Sequence, residues 1–331
     1  MPYINTHVPE LSGFDTGLCL NNLATLAKRH NTLQESLLAV LSELADAILA
    51  DSGGDPDTVN SILLSLLFRD VEEETPTPTE GVAPVNREEL LRMNPHTGLF
   101  ARLALYAMLE ERMAAAQAPT PLRPPSLPGT AKGRIAYMPS AFADKAYLIL
   151  SARIQAPRAN ATAGFVDACE EVRSGLCEYC ILPVENSQSG KLTAFSRLIL
   201  RYRLRIAAVC DLEDGSAEGQ ITRFALLKAA TEELPSVSDL PDGSTALLEI
   251  LHTTGASTLS ELLIAAEFCG LSSISIHTLP PSDTDMGGDD PLSPTLDCVF
   301  SANGADLSAF FRYLFLEASE DFCAGLYSVH R

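Results

Sequence analysis

Asn186, Ser187 and Ser189 gather amide and hydroxyl groups just after the apolar run Cys180-Ile181-Leu182-Pro183-Val184-Glu185. Downstream, Thr222 stands beside Arg223 at the head of a second apolar run, Phe224-Ala225-Leu226-Leu227. The first patch reads as a buried strand turning directly into a helix. Asn186, Ser187 and Ser189 are N-cap residues, and Leu192, Phe195, Leu198, Ile199 and Tyr202 follow at amphipathic spacing. Free backbone N–H groups and the positive dipole end at such a helix start form a cradle for an anion. A cradle, a guanidinium and a proton-bearing hydroxyl together suit a small dicarboxylic acid. Each group also has a plain structural use. Asn186 and Ser187 can cap a helix, Thr222 can fill a strand, and Arg223 can pair with Glu213 or Glu218.

The elements that must position these groups lie in the second half of the chain. Strand Arg134–Met138 precedes a helix from Phe142 to Ala152, a Pro/Ala/Asn-rich loop and a helix Gly164–Ser174. The central strand, its helix and the strand Leu204–Cys210 come next, then an acidic turn Asp211–Gly219 and a strand Thr222–Ala229. A βαββαβ rhythm closes the chain: Thr245–His252, helix Thr258–Phe268 stopped by Gly270, Ser272–Thr278, Thr295–Ser301, helix Asp306–Glu317 and Phe322–His330. Ahead of all this, the pattern predicts helices over Leu26–Ala50, Pro56–Phe68, Glu88–Met93 and Thr97–Ala116. An acidic Thr/Pro-rich connector (Glu72–Pro84) and a proline-rich boundary (Gln117–Gly133) separate them.

The totals narrow the function classes. The 331 residues allow two or three domains. A net charge of −20 argues against nucleic acid or an anionic membrane as partner. No apolar run is long enough to span a bilayer and Met1-Pro2-Tyr3-Ile4 opens no signal peptide, so the expected location is cytoplasmic. The eight cysteines fall mostly in apolar segments and behave as small hydrophobes. Cys177 and Cys180 make a lone C-x-x-C whose second member lies in a buried strand, so no metal site is expected.

Pro183-Val184-Glu185-Asn186-Ser187 with Gly190, followed by Thr222-Arg223-Phe224, resembles the two signature motifs of the prephenate dehydratase family. Phe165-Val166-Asp167-Ala168, leading through Gly175, fits the same family. The resemblance implies conversion of prephenate to phenylpyruvate, carbon dioxide and water by a carbon–oxygen lyase without a cofactor. It makes Thr222 the general acid that protonates the departing hydroxyl, with Glu185, Asn186, Ser187, Arg223 and Phe224 lining the substrate site. The chain departs from the family in two places. Ile135-Ala136-Tyr137 runs into Met138-Pro139-Ser140-Ala141-Phe142 without the family's loop glycines. Between the motifs, one helix and one strand replace a complete second lobe, which leaves half a cleft. A half-site open to water weakens electrostatic stabilisation, which favours weak or absent catalysis over a working dehydratase.

The closing βαββαβ segment is similar to an ACT domain, the regulatory module of that family. By resemblance it binds an amino acid through Gly255 and Ala256, with His277 on the second strand, and it joins subunits. The family's Gly-Ala-Leu turn reads Gly255-Ala256-Ser257 here, and its Glu-Ser-Arg-Pro reads His277-Thr278-Leu279-Pro280. The helical residues ahead of the lobe invite comparison with a chorismate mutase domain, although Leu33–Ala50 carries no basic residue. The expected fold is thus α/β plus α+β. A helical region (1–128) precedes a truncated periplasmic-binding-protein-like α/β lobe (129–236) and a βαββαβ ferredoxin-like (ACT) domain (240–331). The expected partners are a small aromatic carboxylate or amino acid and a second copy, as homodimer or higher homo-oligomer.

Overall fold

A computed structural model describes residues 16–68, 95–116, 133–152, 154–213, 219–231, 240, 245–253, 255, 257–279 and 295–330. The protein is mixed α/β, with a helical N-terminal region and one large mixed sheet. The expected helix Glu88–Met93, the acidic connector and nearly all of the proline-rich boundary lie outside the described residues. Among the described residues, no helix is long and apolar enough to cross a membrane.

Two compact units divide the chain, 1–93 and 94–331. In the first, α1 (Thr16–Ser52) and α2 (Pro56–Phe68) form a hairpin. The turn between them is set by Gly53 and Gly54, both at positive φ, and by Asp55, whose carboxylate accepts from the Thr58 backbone N–H at 2.9 Å. Leu41, Ala45, Ile48, Val59 and Leu63 are buried, consistent with a seam limited to the C-terminal part of α1.

The second unit begins with α3 (Pro95–Ala116). Then follow β1 (Arg134–Tyr137), α4 (Ala141–Ser151), β2 (Arg158–Ala161), α5 (Phe165–Arg173), β3 (Tyr179–Asn186), β4 (Gly190–Lys191), α6 (Thr193–Tyr202), β5 (Leu204–Glu213) and β6 (Ile221–Ala229). The βαββαβ segment comprises β7 (Ala246–Thr253), α7 (Leu259–Phe268), β8 (Ser272–Leu279), β9 (Thr295–Ser301), α8 (Leu307–Glu317) and β10 (Phe322–His330). The sheet order is β2-β1-β3-β6-β5-β10-β7-β9-β8, with β4 paired to β3. The last four strands, in the order fourth, first, third, second, have the ferredoxin-like arrangement, all antiparallel.

The two parts share this sheet because β10 runs parallel to β5, with Gly325 opposite Ile206. A Cβ at Gly325 would sit 2.6 Å from the Ile206 carbonyl oxygen, so only glycine lets the strands approach there. One apolar core accordingly runs from Ala168 and Val184 through Ile206 to Leu247, Leu251 and Phe322. Phe300 faces Leu248 and packs edge-on against Phe310 of α8, so α8 covers the opposite face. Each such fully buried aromatic contributes about 2–3 kcal/mol. Helix α3 packs against this module: Phe100 meets Phe268, and Arg102 and Tyr106 both bond Glu317.

Three local expectations are corrected. Asn186, Ser187 and Ser189 do not cap a helix. The chain first makes a hairpin, β3 to β4, and α6 starts at Thr193 with Leu192 at its N-cap position and no side-chain cap. The Asn186 side-chain oxygen accepts from Gln188 N–H at 2.9 Å and from Ser189 N–H at 3.4 Å, and Gly190 at φ 73° closes the turn. This local bonding outcompetes capping. The Pro/Ala/Asn-rich stretch contains an edge strand, β2, paired with β1 and tied by Arg158 N–H to the Gly133 carbonyl. Finally, β5 extends to Glu213, so Asp211 is a strand residue facing β6.

Candidate functional site

The antiparallel pairing of β3 with β6 brings the two motif patches side by side, Asn186 opposite Thr222 and Glu185 opposite Arg223. Asn186 Nδ2 donates to Thr222 Oγ1 at 3.0 Å. Thr222 therefore receives one hydrogen bond and keeps its own proton to give. Ser187 extends the ladder: its N–H donates to the Ile221 carbonyl at 2.8 Å, and its hydroxyl accepts from Ile221 N–H at 3.0 Å. Phe224 is buried among Ile135, Tyr179 and Cys210, where it holds β6 in place.

Arg223 is engaged from within. Its Nε donates to Asp211 Oδ1 at 2.8 Å, its Nη2 to Asp211 Oδ2 at 3.1 Å, and its Nη1 to Glu185 Oε2 at 2.8 Å. Glu213 does not supply these contacts, and Glu218 lies outside the described residues. Partial burial works to lower the guanidinium pKa. Hydrogen bonding and attraction from Asp211, then Glu185, outweigh it and raise the pKa above its ordinary value. Two carboxylates around one cation leave the spot negative, so an incoming dicarboxylate would have to displace an intramolecular bidentate pair.

A second polar cluster, not singled out from the sequence, lies behind this one. Lys191, opposite Glu185 in the β3–β4 pair, donates to Glu249 Oε1 at 2.8 Å and lies 3.3 Å from Asp297 Oδ2. Tyr327 donates to Glu249 Oε2 at 2.6 Å, and Ser196 to Asp297 Oδ2 at 2.9 Å. Glu249 and Asp297 are buried, and among the described residues Asp297 Oδ1 has no hydrogen-bond partner. Burial, then the neighbouring Glu249 charge, pushes the Asp297 carboxyl up to about 7. Burial also acts to raise Glu249, but Lys191 and Tyr327 hold it below the usual carboxylate range. Burial works to lower Lys191, and the two carboxylates reverse that and raise it. The signal was present in the sequence as single acids inside apolar runs, Leu247-Leu248-Glu249-Ile250-Leu251 and Leu296-Asp297-Cys298-Val299-Phe300.

Of the three residues expected to face an effector, Gly255 and His277 are described. Gly255 sits in the turn between β7 and α7, where a Cβ would overlap the Glu320 carboxylate. Ala256 lies outside the described residues. His277 is on edge strand β8, opposite Asp297. Nearby in sequence, buried His252 bonds Asp321 through Nδ1 at 2.9 Å, and Asp321 also accepts from Thr253 N–H. A cavity of about 330 Å³ in the lobe is lined by Arg134, Arg158, Asn160, Glu171 and Cys177. It opens at the starts of β1 and β2, the opposite end of the sheet from Asn186 and Thr222.

Fold and site define a mixed α/β protein in which an α/β lobe and a ferredoxin-like module share one sheet. No protein-family model matches the chain, and no curated protein has a similar sequence. Among solved structures, a prephenate dehydratase from Streptococcus mutans is similar at 19% identity and a TM-score of 0.43, over 60% of this chain and 99% of that one. A prephenate dehydratase from Arthrobacter aurescens in complex with L-Phe is similar at 13% identity and a TM-score of 0.41, over 59% and 90%. GqqA, described as a novel type of quorum quenching acylase, is similar at 17% identity and a TM-score of 0.42, over 60% and 96%.

Proposed function

We propose that this chain is a prephenate dehydratase-related protein of aromatic amino-acid metabolism with weak or no catalysis, whose ACT-like module senses an aromatic amino acid or joins subunits. The Pro-Val-Glu-Asn-Ser and Thr-Arg-Phe patches support the relationship, and the βαββαβ strand order supports the ACT-like assignment. The observation that carries the loss of catalysis is the double clasp of Arg223 by Asp211 and Glu185. The one cation of the motif pair is neutralised internally, so it does not draw the carboxylates of prephenate toward Thr222. Purified full-length protein incubated with prephenate is expected to release phenylpyruvate no faster than buffer. Phenylalanine or tyrosine is expected to raise its melting temperature. Steady phenylpyruvate formation that Thr222→Ala abolishes would overturn the proposal.

One observation favours a second reading, a working dehydratase: Thr222 keeps a donor hydroxyl oriented by Asn186. The same assay separates the two. The experiment on phenylalanine and tyrosine stands alone, since a flat response to both removes the sensor role without touching the question of catalysis.

A further inference from the structure

Helix α1 runs for 37 residues, yet among its described side chains, from Asn22 onward, the buried ones begin only at Leu41. From Asn22 to Val40 every residue is exposed. A solvated helix of that length is marginal on its own in water, because propensity alone scarcely offsets nucleation. Its leucines, moreover, are not scattered. Leu23, Leu26, His30, Leu33, Leu37, Val40, Leu44 and Ala47 recur at alternating steps of three and four, the seam of a left-handed coiled coil. Leu23, Leu26, Leu33, Leu37, Val40 and Leu44 have between 36% and 70% of their surface exposed. The residues that α1 buries with α2, Leu41, Ala45 and Ile48, lie on the flank beside the seam, so α2 leaves the stripe open.

We propose that the α1 stripe is an interface with a second copy of this chain, the two α1 helices running antiparallel with α2 of each flanking them in a four-helix bundle. The self-complementarity of the stripe selects both the occupant and the direction. In the antiparallel register Leu37 faces Leu33 of the second copy, His30 faces Val40, Leu44 faces Leu26, and Leu23 faces Ala47. Every layer is then apolar on at least one side. The same register sets Arg29 beside Glu43 of the second copy, twice by symmetry, with Ser36 beside Ser36 at the centre. Arg29 and Glu43 are both exposed. A parallel pair would stack His30 on His30 inside the seam and lay Arg29 beside Gln34, which has no charge to offer. The contact is isologous, closes on itself and stops at a dimer. It does not depend on what the rest of the chain binds.

The test is the mass of the full-length protein in solution, by light scattering on a gel-filtration column across a dilution series. A dimer is expected. Leu33→Glu with Leu37→Glu sets four charges in the seam and should raise the dissociation constant about a hundredfold or more. Loss of dimer through misfolding is separated by the charge pair. Arg29→Glu alone should weaken the dimer, and Arg29→Glu with Glu43→Arg should restore it. Ser36→Cys should be linked into a dimer by a short bis-maleimide under conditions that leave the wild type unlinked. A monomeric wild type, the result expected if another part of the chain covers the stripe, overturns the proposal. So does a dimer that the Leu33/Leu37 variant leaves intact, or a Ser36→Cys protein that the reagent does not link.

Discussion

Replacing Asp297 by asparagine should remove a pH dependence of stability that the wild type carries between about pH 4 and pH 7, the upper half of which lies above about pH 5.5. The carboxyl has an ordinary value of 3.8, and burial with the Glu249 charge raises it to about 7 in the folded protein. The folded state thus holds this proton to higher pH than the unfolded chain does. Protonation favours folding, and stability falls as pH rises from about 4 to about 7. At about 1.4 kcal/mol for each tenfold change in proton affinity, the full effect is about 4 kcal/mol, and relaxation around the pair brings the expected value to about 2–4 kcal/mol. Glu249 acts in the opposite sense: its depressed pKa contributes stability that is lost only as pH falls below the ordinary carboxylate range, outside this window. Asparagine keeps the shape and an acceptor for Ser196 but does not titrate. Urea unfolding followed by far-UV circular dichroism, at half-unit steps from pH 5.5 to 8, gives the wild-type-minus-variant difference and cancels the general effect of net charge. The difference should favour the wild type at pH 5.5 and shift toward the variant by pH 8. A difference constant within about 0.5 kcal/mol across the range would refute the raised Asp297 carboxyl on which this reasoning rests.

Lys191→Met leaves Glu249 and Asp297 together without their cation, and should cost about 3–5 kcal/mol at pH 8 and less at pH 5.5, read by the same urea titration. Gly325→Ala sets a methyl 2.6 Å from the Ile206 carbonyl and should destabilise the protein by about 2–3 kcal/mol, with faster hydrogen exchange at the β5 and β10 amides; an unchanged exchange pattern would mean the strands are not so close. Glu317→Ala removes the bidentate partner of Arg102 and the acceptor of Tyr106, costing about 2 kcal/mol, and limited proteolysis should then cut within α3 before the sheet. Asp211→Asn with Glu185→Gln frees the Arg223 charge, so the double variant should bind a small dicarboxylate such as malonate in calorimetry where the wild type gives no heat.

The strand–helix rhythm of residues 134–331 was legible because each element carries its own apolar period and punctuation. Thr258 with Glu261 even forms a full capping box at α7. What escaped was decided by competition or by distance along the chain. Asn186 could cap a helix or close a turn, and only the Gly190 φ and the β4 pairing select the turn. The acid at Asp211 read as the start of a loop because acidic residues cluster up to Gly219, yet its pairing with Arg223 across β5 and β6 keeps it in the strand. The parallel pairing of β5 with β10 joins segments over a hundred residues apart and leaves no local trace except Gly325, a glycine in the interior of a strand. For the site, adjacency of Asn186 and Thr222 follows from the motifs, whereas the occupancy of Arg223 depends on which acids the register sets opposite it.

That register also bears on whether the motif pair could open. In a two-lobed cleft a ligand-binding arginine is exposed when the lobes swing apart, and the cost is a hinge motion. Here Arg223 is held by Asp211 of the adjacent strand β5 and by Glu185 of β3, so it sits across three neighbouring strands of one sheet. Releasing it by a backbone movement would mean sliding β5 or β3 against β6 and breaking ladder hydrogen bonds. On its other side β5 is clamped by β10, and β10 carries Tyr327, which bonds Glu249 in the buried Lys191 cluster. Side-chain rotation alone would strand two carboxylates, each accepting from the guanidinium, beside an unpaired cation. Either route costs more than a weakly bound dicarboxylate returns, because that ligand would gain the same guanidinium contacts while bringing further negative charge to a spot that already has an excess.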